Sequence, residues 1–266
     1  VSEPARFERR SEDLRAAVAS HPELTGLVML GSAAEEGRHR RDEWSDHDFF
    51  AIAAEGRGAH VRGDLSWLPG SEHLAATARE GDIGFVALYD DGHVFEFALA
   101  EIGELSAALA EEATVVLDTD GAVAGLVADA TARAASIPPA DAVTEVSLFL
   151  VKILIGVGRA RRGEVLTAGQ FVRTWAVQGL VRAVRARDSS RADGATASVD
   201  PVRRFEADHP AWAAQIATAL EQPVEDAARA LYDLVRMRME PGWPSFPSRA
   251  ADAVAARLGW RGHARL

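Results

Sequence analysis

One stretch constrains this chain more than any other: residues 27–52, LVMLGSAAEEGRHRRDEWSDHDFFAI. It reads as a short apolar strand from Leu27 to Leu30, a turn at Gly31 and Ser32, a polar segment, and a second strand over Asp46 to Ala53. Alternate side chains of a strand share a face, so Asp46 and Asp48 project together from one surface. Two like charges held that close repel, and a buried sheet has no structural reason to keep them. A divalent cation supplies one, because Mg²⁺ is held by one or two carboxylates together with substrate phosphates. The glycine ahead of them lets backbone approach a phosphate closely, with the Ser32 hydroxyl and nearby N–H groups as donors.

The rest of the chain narrows the class. Its 266 residues allow one large domain or two of ordinary size, and 48% apolar with 26% charged residues is a soluble globular balance. With no cysteine there is no disulfide, thiolate metal site or cysteine nucleophile. The polar opening VSEPARFERRSEDLR lacks a secretory pattern, and the apolar run Val146 to Val157 is interrupted by Lys152 and too short to span a bilayer. A cytoplasmic protein with no membrane contact is the expectation. The net charge of −11 is uneven: residues 1–139 hold 11 Lys+Arg against 26 Asp+Glu, or −15, and residues 140–266 hold 18 against 14, or +4. An acidic first half works against a long nucleic acid and favours metal ions and small cationic substrates, although acidic surfaces also serve solubility alone.

Along the chain, Phe7 to Ser20 has the spacing of an amphipathic helix, ended by His21-Pro22. A helix is expected across Ser32 to Glu36, a short one late in Asp64 to Gly81, and another over Glu101 to Ala110. GFVALY and HVFEFAL, joined by Asp90-Asp91-Gly92, carry a hairpin signature; Thr114 to Leu117 reads as a strand and Ala122 to Ser136 as a helix. Ile137-Pro138-Pro139 marks a boundary, after which nearly everything reads as helix: Val143 to Arg159, Val165 to Arg187, Ala211 to Leu220, Val224 to Met239, and Ser248 to about Leu258. Ser189 to Ser198 reads as a mobile loop. The fold class is therefore α+β, a mixed sheet with flanking helices over 1–139 followed by an all-helical bundle over 140–266.

Gly31-Ser32 followed by Asp46 and Asp48 resembles the polymerase-β-type nucleotidyltransferases, whose signature is an apolar residue, Gly and Gly or Ser, then DxD. Ser45-Asp46-His47-Asp48 looks most like the SDxD of the antibiotic (aminoglycoside and lincosamide) adenylyltransferases, and the basic run Gly37-Arg38-His39-Arg40-Arg41 accounts for a 13-residue gap between Ser32 and Asp46. The resemblance implies transfer of AMP from ATP to a hydroxyl of a small, aminoglycoside-like antibiotic, with Mg²⁺ as cofactor and pyrophosphate released. It places ATP in a cleft completed by the helical domain, its triphosphate held by Gly31, Ser32, Ser45 and Lys152, and the metal by Asp46 and Asp48. The same chemistry on a lincosamide, another small molecule or a protein hydroxyl is the alternative, as is a nucleotide-binding module without catalysis.

Glu96 is the third carboxylate. Between Phe95 and Phe97 in a central strand it needs a compensating partner, because an isolated buried charge is costly; an edge strand with Glu96 in water is the other reading. The family carries its third carboxylate on the strand after a hairpin, as a metal ligand when Asp and as the base toward the acceptor hydroxyl in some members when Glu; either role is implied for Glu96. Lys152 is the only lysine beside 28 arginines, and the family's first long helix offers a lysine to the triphosphate. Arg162-Gly163-Glu164 resembles a family RGE-like segment, whereas Arg159 and Arg161 read as a solvated helix end. The run Arg38 to Arg41 reads as a solvated loop or a cover for the triphosphate, His47 as packed on the face away from the carboxylates, and Trp67 as core. No Walker lysine motif, G-x-S-x-G or G-x-G-x-x-G is present.

Overall fold

The β-type runs of the first half assemble into one sheet whose central strands bury apolar residues on both faces. The computed structural model, which describes residues 3–188 and 200–260, contains two units, Val1–Ile137 and Pro138–Leu266. In the first, helix α1 (Glu3–Ser20) leads into β1 (Leu24–Leu30), β2 (His47–Ala53), a helical turn α2 (Gly58–Val61), β3 (Leu74–Glu80), β4 (Gly84–Tyr89), β5 (Val94–Ala100), β6 (Ala113–Asp118) and α3 (Val123–Ala135). The six strands run in the order β3-β4-β5-β2-β1-β6, and the β2–β5 pair is parallel while its neighbours are antiparallel.

Each face of the sheet has its own core. Phe7, Leu14 and Val18 of α1 pack with Leu27, Met29, Phe49, Phe95 and Phe97 on one side. Val123 and Leu126 of α3 pack with Val28, Ile52 and Ala100 on the other. The second core does not extend to the starts of β2 and β5: in the row that holds fully buried Ile52 and Ala100, Asp48 is half-buried and Glu96 exposed. The charge of Glu96 is thus met by water on an open part of a central strand, where the sequence suggested burial; both neighbours, Phe95 and Phe97, point into the α1 core.

Three local expectations change. The stretch 74–80 is an edge strand, not a short helix: its Ala-rich sequence suits a helix, but a turn at Gly81 brings it back along β4 with Glu80 beside Gly84. Residues 32–36 and 101–110 supply only 3₁₀ turns, Gly31–Ala33 and Ile102–Leu105. In the latter, Glu101 and Glu104 close a capping box, and the same carboxylates accept from the Gly56 and Gly58 N–H groups and from Arg62. The expected loop at 189–198 lies outside the described residues.

The second unit is helical, with α4 (Ala142–Arg161), α5 (Val165–Gly169), a π-helical stretch Gln170–Ala176, α6 (Val177–Arg187), α7 (Phe205–Asp208), α8 (Pro210–Leu220), α9 (Val224–Arg238) and α10 (Ser248–Leu258). Asp141 caps α4 by accepting hydrogen bonds from Thr144 N–H at 2.8 Å and its hydroxyl at 2.6 Å. Phe149, Ile153, Leu180 and Leu231 are fully buried in its core. Among the described residues no helix is long and apolar enough to cross a membrane.

Candidate active site

Register brings the two halves of the motif together. β1 and β2 are antiparallel with Leu30 beside Asp48, so Gly31 and Ser32 leave β1 alongside the residues that enter β2. Parallel pairing then sets Asp48 beside Glu96, at the roughly 4.8 Å separation of neighbouring strands. Asp46 lies one residue before the start of β2 rather than within it, and still joins them: one carboxylate oxygen from each of Asp46, Asp48 and Glu96 lies within 4.8 Å of the other two. Like charges directly opposed across strands destabilise a sheet, and a cation between them would relieve that repulsion.

The donor set fits a hard divalent ion. All three groups offer carboxylate oxygen, with no sulfur or imidazole among them, which suits Mg²⁺, Mn²⁺ or Ca²⁺ and not zinc in a structural site. Asp46, Asp48 and Glu96 are the residues that would hold it.

The loops around the carboxylates are braced by their own side chains. Gly31 has φ +53°, a left-handed conformation that a side chain would strain. Its N–H donates to Glu112 O at 3.1 Å. The arginine run is structural bracing. Arg41 donates to Ser32 O at 2.6 Å, Ala33 O at 2.8 Å and Ala34 O at 3.3 Å, and also to Glu8 Oε1 at 2.6 Å. Arg40 pairs with Glu112, and Arg38 reaches Glu8 at 3.2 Å and Glu35 at 3.7 Å. Ser45 donates to Asp42 Oδ1 at 3.2 Å and accepts from Asp42 N–H at 3.0 Å, so its one proton is committed to the turn before Asp46.

His47 points away from the carboxylates, as alternation requires, and is fully buried. It stacks on Phe7 with ring centroids 3.8 Å apart, and Nδ1 and Nε2 lie 2.7 Å from His93 Nε2 and 2.9 Å from Ser11 Oγ. Burial is the main cause that pushes His47 down to about 2 and His93 down to about 4, so both rings are neutral at neutral pH. Beside Asp46 a recess of about 500 Å³ opens, lined in part by Glu43, Trp44, Asp91 and His93. Trp44 is 84% exposed there, an unusual state for an indole. Sequence reasoning passed over Trp44, whose only signal was its adjacency to Ser45-Asp46, and read Arg41 within a run that was solvated or covered the triphosphate, where the structure has it bracing the turn. Trp67, read as core, does pack against the α1-side core, edge-on to Phe97 at 6.0 Å.

In the helical unit Lys152 lies 5.5 Å from the centre of the Phe171 ring and 5.4 Å from that of Trp175, both carried by the π-helical stretch, and makes no ion pair among the described residues. Arg159 and Arg162 both pair with Glu164, at 2.5 Å and 3.1 Å, and Arg161 pairs with Glu225. The Arg162-Gly163-Glu164 segment is therefore closed on itself, with the Arg159 hydrogen bond holding the Glu164 carboxyl below its ordinary value.

No family model matches the chain, and no curated protein matches it by sequence. Among solved structures it is similar to an aminoglycoside 6-adenyltransferase from Bacillus subtilis, with 13% identity, 99% of this chain and 94% of that one covered, and a TM-score of 0.31. It is also similar to a nucleotidyltransferase-like protein from Exiguobacterium sibiricum, with 14% identity, 95% and 88% covered, and a TM-score of 0.32.

Proposed function

We propose that this chain is a divalent-cation-dependent nucleotidyltransferase that moves AMP from ATP to a hydroxyl of a small, cationic, aminoglycoside-like molecule. The observation that carries the reading is the convergence of Asp46, Asp48 and Glu96 beside the Gly31–Ser32 turn. Bound Mg²⁺ would neutralise triphosphate charge as the α-phosphorus is attacked. Asp46 and Asp48 hold the cation. The Ser32 N–H and hydroxyl meet the phosphates, the Gly31 N–H being held by Glu112 O, and Ser45 serves by fixing the turn that presents Asp46. Glu96, exposed at the edge of the cluster, takes the proton of the acceptor hydroxyl as its oxygen bonds to the α-phosphorus. The bond from that phosphorus to the bridging oxygen breaks, and pyrophosphate leaves.

Lys152 of the helical unit is assigned to the triphosphate on its place in the first long helix and its lack of a carboxylate partner among the described residues. We assign the acceptor to the recess beside Asp46, where Asp91 is paired with Arg10, Glu43 and Asp46 outnumber Arg6, and the Trp44 indole forms part of the wall. Such a lining favours a cation over a phosphate.

Magnesium-dependent pyrophosphate release, measured with ATP over a panel of cationic and neutral antibiotics, tests the reading. Release is expected with a cationic acceptor, and Asp48→Asn is expected to reduce it more than about 100-fold, beyond what loss of a merely supporting residue costs. ATP binding without release for any acceptor would point to a nucleotide-binding module instead, and full activity of Asp48→Asn would remove the metal assignment.

A further inference from the structure

The two halves of the motif are both fastened to one turn of α1, and the fastening residues lie outside the motif. Phe7 is the common contact. The His47 ring stacks on it at 3.8 Å with an interplanar angle of 16°, and the Arg41 guanidinium lies over it at 4.8 Å. Arg41 in turn holds the carbonyls of Ser32, Ala33 and Ala34, and Glu8 on the same turn of α1 accepts from it at 2.6 Å. His47 lies between Asp46 and Asp48 in the chain and is tied to α1 by Ser11.

The hydrogen bonds in this cluster form one chain. With Ser11 donating its only proton to Phe7 O at 3.1 Å, its oxygen accepts from His47 Nε2, and His47 Nδ1 accepts from Nε2 of His93, one residue before β5, at 2.7 Å; turning the Ser11 hydroxyl toward His47 reverses both histidine bonds and keeps both. One buried ring thus joins α1, the first residue of β2 and the approach to β5, the strand that carries Glu96. A fully buried polar ring with both nitrogens bonded has little freedom to shift, because any shift leaves a polar atom unsatisfied.

We propose that Phe7 and Ser11 of α1, acting through Arg41 and His47, set the position of the Gly31–Ser32 turn relative to the Asp46, Asp48 and Glu96 carboxylates. His47, Ser11 and Arg41 are positioning residues for cation and nucleotide binding and touch neither ligand. The inference rests on the carboxylate cluster being the cation site. It predicts a division of labour: Ser11 and His47 govern the carboxylates, and Arg41 governs the turn.

The test uses the full-length chain and two equilibrium titrations, Mn²⁺ alone and ATP in excess Mg²⁺, at a temperature where every variant is folded. Ser11→Ala is expected to weaken Mn²⁺ binding about tenfold, the low end for loss of a group that orients metal ligands. His47→Leu should do at least as much, and His47→Gln, which can still donate to Ser11, should recover most of the loss. Arg41→Met should weaken ATP more than Mn²⁺, and Arg41→Lys should not rescue it because a lysine cannot fork across three carbonyls. Val18→Ala cuts a fully buried contact of the same helix away from Phe7, and it should lower the melting temperature while leaving both affinities unchanged. The proposal is overturned if folded Ser11→Ala and Arg41→Met bind both ligands as the parent does, or if Val18→Ala moves the affinities as far as they do. Asp48→Asn separates the layers: if it leaves Mn²⁺ binding intact, the carboxylate reading falls and takes this inference with it.

Discussion

Tyr89 sits 4% exposed with its hydroxyl donating to Pro69 O at 2.8 Å, and burial pushes its pKa up to about 12. Tyr232, the other of the chain's two tyrosines, donates to Ala251 O at 2.9 Å and is also raised, again chiefly by burial. A raised folded value has a definite sign. The stabilisation is complete below the unfolded value near 10 and is lost as pH climbs through the folded one, since only the unfolded chain releases the proton in that window. For Tyr89 the loss amounts to about 2–3 kcal/mol between pH 10 and 12. Absorbance near 295 nm should therefore show the Tyr89 phenol still protonated at pH 10 in the folded protein, with its ionisation and unfolding arriving together at higher pH. A tyrosine titrating near 10 with the fold intact would contradict the packing described for that residue. Glu96 illustrates the opposite environment at this scale. The same strand alternation that sends Phe95 and Phe97 inward sends its carboxylate to water, where a cation has access.

Among the elements, the loop from Gly31 to Arg41 carries a constraint with no counterpart in sequence pattern. Gly37 has φ −84° and ψ −11°, a conformation any residue adopts, so its glycine is not required by the backbone. Contact requires it: a Cβ there would lie 1.9 Å from the Gly31 carbonyl oxygen. Gly37→Ala must displace the turn, and overpacking of this kind costs about 1–3 kcal/mol. Its expected signature is a lower melting temperature together with weaker ATP binding, whereas Gly103→Ala, which meets nothing within 4 Å, should change neither.

This is also where sequence reading reached its limit. The strands of residues 27–52 and the hairpin after Gly84 were legible because alternation and turn chemistry are local. The meeting of Asp46, Asp48 and Glu96 was legible through the resemblance, because alternation puts Asp46 and Asp48 on one face while only the register of the parallel β2–β5 pair sets Glu96 beside Asp48. The edge strand Leu74–Glu80 was not, because its Ala, Arg and Glu content favours helix and only pairing with β4 decides otherwise. Nor was the bracing by Arg41, which needs three carbonyls and Glu8 held by tertiary structure, and which a charge count reads as a solvated run.

Across the whole molecule, the charge division falls where the two units divide. The −15 of residues 1–139 belongs to the unit ending at Ile137, because Pro138 and Pro139 add no charge. The helical unit carries the +4 and the single lysine. Each unit has its own buried core, the first around Phe49 and Phe95 and the second around Phe149 and Leu180. All three carboxylates, the Gly31–Ser32 turn and the α1 cluster lie in the first. A fragment of residues 1–137 should therefore fold as a sheet protein and bind Mn²⁺ within about threefold of the intact chain, because the ligands and the groups that orient them are all retained. It should lose nucleotide transfer if Lys152 serves the triphosphate. Adding salt should weaken Mn²⁺ binding to fragment and whole chain alike, since screening acts on the same acidic surface, whose field extends over roughly 10 Å at 0.1 M ionic strength. Circular dichroism establishes folding of the fragment, and a Mn²⁺ titration at two salt concentrations supplies the comparison. A folded fragment that binds no Mn²⁺ would show that the cation site needs groups from the helical unit.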